Sequence, residues 1–79
     1  MSNLDKYKQC FISSFTLDES AFKNNIEYNS IQEWDSIGHM AMIAELEEAF
    51  EISMEIDDII EFSSFNKGIE ILIKYDVSI

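Results

Sequence analysis

Without a proline, and with glycine only at positions 38 and 68, the chain has almost nothing that stops a helix. Proline would remove a backbone donor and clash with the preceding turn, and glycine is what most tight β-turns draw on. Their scarcity disfavours a sandwich or barrel and predicts an all-α fold. At 79 residues the chain has room for one domain, spanning 1–79. A domain of this size buries only roughly 60% of the surface of its unfolded form, so its core must be dense. A hydrophobic share of 47%, with six Phe, three Tyr and one Trp, can supply that core.

Apolar spacing places the elements. Leu4, Tyr7, Phe11 and Phe15 recur at three- and four-residue steps, which makes one helical face behind Asn3 as N-cap. Cys10 and Ile12 widen that face, with Cys10 read as a small core hydrophobe. From Thr16 to Asp35 the period dissolves at Asp18, Asn24, Asn25, Asn29 and Ser30. This long first loop is expected to be pinned by Phe22, Ile26, Tyr28, Ile31 and Trp34, with a helical turn near Ser20–Lys23 and Trp34 as a lid. Ser36–Glu51 then reads as a helix capped by Asp35. Advancing about 100° per residue, Met42, Ile43, Leu46, Ala49 and Phe50 gather on one side, with His39. Ile37, Met40, Ala41 and Ala44 gather on the other, near Glu47, Glu48 and Glu51. One buried face needs only the first group, so the second is an exposed apolar strip rimmed by carboxylates, as on a docking surface. After an interruption at Glu51–Glu55, a short acidic helix carries Ile56, Asp57, Asp58, Ile59, Ile60 and Glu61, with Phe62 just beyond. A last helix, capped by Ser63 or Ser64, presents Phe65, Ile69, Leu72 and Ile73 and ends near Tyr75, leaving a frayed tail. The expectation is a four-helix bundle with three longer helices and a short third one.

Sixteen acids against five lysines give a net charge of −11. That charge repels nucleic-acid phosphates and anionic membranes and favours partners with basic patches. The fold is expected to be sensitive to salt through the same self-repulsion. A single cysteine cannot form an internal disulfide, and no basic start leads into an apolar run, so a cytoplasmic monomer is expected, with no membrane insertion. One His, one Cys and no arginine supply no nucleophile–base–orienter set, so no enzyme activity is expected. A calcium loop is excluded as well: its alternating oxygen ligands around a central glycine are absent, and Asp57, Asp58 and Glu61 are too compact for it.

The stretch Trp34-Asp35-Ser36-Ile37-Gly38-His39-Met40, followed by Leu46-Glu47-Glu48-Ala49-Phe50, resembles the acyl carrier protein signature. In that family an Asp-Ser-Leu/Ile tripeptide opens the second helix, which continues into a Leu-Glu-Glu-x-Phe run. The order of a first amphipathic helix, a long loop, a short acidic third helix and a capped fourth extends the resemblance over nearly the whole chain. It implies an acyl-carrier-like bundle in which Ser36 carries a 4′-phosphopantetheine arm. A phosphopantetheinyl transferase would install the arm from coenzyme A with Mg²⁺, through attack of the serine oxygen on the pyrophosphate. Asp35 would help to hold the metal or the transferase, besides capping the helix. Acyl or aminoacyl groups would ride as thioesters on the arm, so Cys10 is not needed and the carrier is not itself a catalyst. The resemblance further implies that Ile37, Met40, Ala44, Glu47, Glu48 and Glu51, with Asp57, Asp58 and Glu61, dock loading and transferring enzymes that present basic patches. Primary fatty-acid carriers usually read Asp-Leu-Gly-x where this chain has Ile31-Gln32-Glu33-Trp34. They commonly have acids where it has Gly38 and Ala41, and a proline where it has Glu55. The likeness is therefore to specialised stand-alone carriers. The alternative is a carrier-like acidic adaptor that docks partners without a prosthetic group. An acyl chain lodged in the core would find adaptable linings in Met42, Met54 and the phenylalanines.

Overall fold

A computed structural model describes residues 2–23 and 25–79; Asn24, one of the expected loop breakers, lies outside the described residues. Among the described residues four helices follow in order: α1 (Asn3–Phe15), α2 (Ser36–Phe50), α3 (Ile56–Glu61) and α4 (Phe65–Lys74). The long first loop contains a 3-10 turn at Glu19–Lys23. The expected all-α bundle is present, with three longer helices and a short third one. No helix among the described residues is long and apolar enough to cross a membrane.

The helix ends follow local side-chain chemistry. Ser2, not Asn3, caps α1: its hydroxyl accepts from the Asp5 amide while the Asp5 carboxylate accepts from the Ser2 amide, a capping box. Asn3 instead donates through Nδ2 to the Ser78 carbonyl at 2.9 Å. That bond, with the buried Val77 and the hydrogen bond its amide donates to the Leu72 carbonyl, fastens a tail that the sequence suggests is frayed. Ser64 caps α4 by accepting from the Lys67 amide. Glu51 ends α2 in the left-handed region, at φ 53°, with its amide donating to Glu47.

One apolar core joins six aromatic rings to aliphatic side chains. Tyr7, Phe11 and Phe15 of α1 enter it, and α1 packs along α2 through Met42, Ile43 and Leu46. Leu4, expected on that face, is exposed. Trp34 is no lid: it is fully buried, stacked on Phe15 at 5.2 Å and edge-on to Phe11 at 5.3 Å. The Tyr7 hydroxyl, inside the same core, donates to the Phe65 carbonyl at 2.7 Å.

The inward face of α4 is rotated from the expected one. Phe65, Gly68, Ile71 and Leu72 are buried, Ile69 is half-buried and Ile73 is exposed. Gly68 explains the rotation, because α4 passes so close to α1 there that an added Cβ would stand 2.1 Å from the Tyr7 hydroxyl and 2.2 Å from Phe62 Cζ.

Candidate functional site

The start of α2 is fixed from two directions. Asp35 has extended backbone, and its Oδ1 accepts from the Gly38 amide at 2.8 Å, the bond expected of an N-cap. Trp34, one residue earlier, is anchored in the core and donates through Nε1 to His39 Nδ1 at 2.9 Å. An indole N–H can only donate, so His39 Nδ1 is the acceptor and Nε2 carries the hydrogen. Nε2 then donates to the Ile59 carbonyl at 2.8 Å. A neutral imidazole thus ties the opening of α2 to α3, which makes His39 a packed residue as its angle on the helix implied.

Ser36 is the first residue of α2 and is exposed. Among the described residues, the Ser36 and Ile37 amides donate to no protein group. Two free N–H groups at the positive end of a helix favour an anion beside the serine. Ser36 also opens on a cavity of about 350 Å³ between α2 and α3, lined by Tyr28, His39, Met40, Ile59, Ile60, Phe62 and Ser63. The lining is mostly apolar, and the volume lies near the lower end of the roughly 300–1,000 Å³ range of ligand pockets.

The residues expected to dock partners separate into two sets. Ile37, 82% exposed, lies on the solvent side of α2 with Met40 and Ala44, and Glu48, Glu51, Asp57 and Glu61 are exposed around them. Glu47 is half-buried, and its carboxylate accepts from the Met54 amide at 2.8 Å, so it closes the turn after α2. Asp58 does not belong to the acidic rim. It is only 6% exposed, because helical spacing sets it on the inward side of α3 with Ile59 and Phe62. Lys74 donates to Asp58 Oδ1 at 2.6 Å, and the Tyr75 hydroxyl donates to Oδ2. These two hydrogen bonds, Lys74 first, hold the Asp58 carboxyl below its ordinary value against the opposing effect of burial. The Asp58 contact raises Lys74 and Tyr75 in turn.

Met42 and Met54 fill the core and do not line the cavity, where Met40 takes that place. Cys10 is buried in α1, and burial, then the charge of Glu45, pushes its thiol up to about 11. Sequence reading missed Tyr28, Ile59, Ile60, Phe62 and Ser63 as parts of the site. It also missed that Ile56 and Ile60 are 74% and 73% exposed, which extends the apolar strip of α2 onto α3. One signal was available: at about 100° per residue Ile60 and Ile56 lie roughly 160° and 120° around the helix from Phe62, away from the side that Phe62 buries. Comparison with protein-family models, curated proteins and solved structures finds no match for this chain.

Proposed function

We propose that the chain is an acyl or aminoacyl carrier that holds intermediates as thioesters on a 4′-phosphopantetheine arm bound to Ser36. One observation carries this reading: an exposed serine hydroxyl opens α2 at the mouth of an apolar cavity. The Trp34–Met40 motif and the Leu46–Phe50 run select this chemistry from others that an exposed serine allows. The residues suit the group. The Ser36 oxygen is exposed at the helix start, where a phosphodiester can form, and the Ser36 and Ile37 amides favour its charge. Asp35 serves as the cap that fixes the helix start. The arm, when bound, supplies the thiol, and the protein supplies position.

The same reading gives the exposed strip a role. Partners, first a phosphopantetheinyl transferase and then loading and transferring enzymes, would meet Ile37, Met40 and Ala44 through an apolar notch. Their lysines and arginines would face Glu48, Glu51, Asp57 and Glu61, where rim charges mainly raise the association rate and apolar contacts set residence time. The carrier is then a substrate of its partners and not an enzyme, working in the cytoplasm.

Incubation with coenzyme A, Mg²⁺ and a broad-specificity transferase tests the reading. Wild type is expected to gain one phosphopantetheine by intact mass, and Ser36→Ala none. An unmodified wild type, in a reaction that loads a control carrier, would reject the proposal and leave the adaptor that docks without an arm.

A further inference from the structure

Ser36 has a neighbour that the sequence motif does not include. The Tyr28 hydroxyl stands 3.2 Å from Ser36 Oγ, although the two lie eight positions apart in the chain. The Tyr28 backbone is fixed by a short antiparallel bridge to the α3–α4 connection. The Tyr28 amide donates to the Ser63 carbonyl at 2.9 Å, Glu27 pairs with Ser64, and the Phe65 amide donates to Ile26 at 2.7 Å. Its ring stands edge-on to Trp34 at 6.3 Å and to His39 at 5.7 Å. Both of those rings are themselves held, by the core and by the Trp34–His39–Ile59 hydrogen bonds. A half-exposed tyrosine is thus braced on two sides with its phenol aimed at the serine.

An exposed serine at a helix start otherwise distributes over three staggered rotamers. A phenol bonded to one of them selects it, and a net hydrogen bond of ordinary strength corresponds to about fivefold in an equilibrium. A serine oxygen has two lone pairs and one hydrogen. The contact allows either hydroxyl to donate; in the arrangement where Tyr28 donates to one lone pair, the other remains for attack and the hydrogen remains for a base of the transferase.

We propose that Tyr28 is the positioning residue of this site, orienting the Ser36 hydroxyl for loading and afterwards donating to the phosphodiester; this rests on the carrier reading above. In the loading step a P–O bond forms to Ser36 Oγ, the pyrophosphate P–O bond of coenzyme A breaks, the nucleotide half leaves, and the serine proton passes to the transferase. Ser36 Oγ then has no hydrogen, so Tyr28 can only donate, and it does so to an anionic group, which strengthens the bond.

The test compares wild type with Tyr28→Phe, which keeps the ring and removes only the hydroxyl. Loading by a broad-specificity transferase is followed by intact mass, with kcat and KM for the carrier measured separately. The ¹³Cζ resonance of Tyr28 is recorded in wild type before and after loading, a readout that needs no variant. The expected result is a roughly twofold loss of kcat with KM little changed, since a roughly fivefold bias raises one of three rotamers from about a third of the population to about 70%, together with a ¹³Cζ shift on loading. An unchanged kcat, a change confined to KM, or a ¹³Cζ resonance indifferent to loading would each overturn the role of Tyr28 while leaving the carrier reading in place. A wild type that is not loaded, beside a control carrier that is, overturns both.

Discussion

Replacing Gly38 by alanine should destabilise this protein, although the same change in most helix interiors does the opposite. Alanine in an exposed helical position is ordinarily about 1 kcal/mol better than glycine. At Gly38 the added Cβ would lie 2.0 Å from the Glu33 carbonyl oxygen, 3.2 Å from its carbon and 3.3 Å from Phe15 Cε1. The nearest atom belongs to the backbone, so no flexible side chain can move aside. Turning the Glu33–Trp34 peptide to relieve the clash would carry the Trp34 amide away from the Ile31 carbonyl, to which it donates at 3.2 Å, and pull on a fully buried indole. Overpacking of this kind costs about 1–3 kcal/mol and a lost hydrogen bond about 1 kcal/mol more. Against the 1 kcal/mol gain in propensity, the net loss is about 2 kcal/mol. For a domain of this size that corresponds to a fall in Tm of about 8–16 °C. Thermal melts by circular dichroism measure it, with Ala44→Gly, an exposed position of the same helix, setting the scale at about 1 kcal/mol. The single tryptophan provides a local fluorescence probe of the displaced segment. A Gly38→Ala protein that melts at or above the wild-type temperature would refute the close approach of Glu33 to α2.

Two further outcomes follow from the polar contacts of α3. Asp58 titrates below its ordinary value of 3.8 when folded, so between that value and the lower folded one the unfolded chain binds more protons and stability is lost as pH decreases. The stability difference between wild type and Asp58→Asn should therefore be full at neutral pH and vanish as pH drops through that window; urea midpoints from pH 7 to 2 measure it, and a constant difference would exclude the mechanism. His39→Phe should cost about 1–3 kcal/mol, because it removes the acceptor of the buried Trp34 Nε1–H and the donor to the Ile59 carbonyl. A urea midpoint unchanged from wild type would show that neither bond contributes to the fold.

The sequence was most informative where side-chain spacing and local capping decide the structure. The α2 start at Ser36, its Asp35 cap, its two apolar stripes and the helical turn near Lys23 all follow from residues a few positions apart. Reading failed where tertiary approach decides. Nothing in the spacing of α4 reveals that Tyr7 and Phe62 press on Gly68, and that contact turns Ile71 inward and Ile73 outward. Asp58 looked like one more rim acid, because its partners lie on another element, 16 and 17 residues away. The Tyr28–Ser36 contact depends on the pairing of residues 26–28 with the α3–α4 connection, which no local pattern encodes. Trp34 was placed correctly beside α2 but too far out, since the aromatic cluster that encloses it is assembled from α1 and the loop.

The same contacts that keep α3 folded also give the cavity its shape. A six-residue helix is far below the length at which isolated helices persist in water, so α3 exists because other elements hold it. Phe62 enters the core at its end. Lys74 and Tyr75 hold Asp58, the Tyr75 hydroxyl also accepts from the Glu55 amide at 2.9 Å, and His39 holds the Ile59 carbonyl. Ile59, Ile60, Phe62 and Ser63 form one wall of the space beside Ser36, while His39 and Met40 belong to the other. Loosening either polar anchor must therefore move a wall of that space as well as lower stability. The carrier reading sharpens the consequence: His39→Phe and Asp58→Asn should leave the Ser36 hydroxyl exposed for loading, yet alter the surroundings of whatever the arm carries. A substitution confined to the rim, such as Glu48→Gln, touches no anchor of α3 and should leave the cavity as it is.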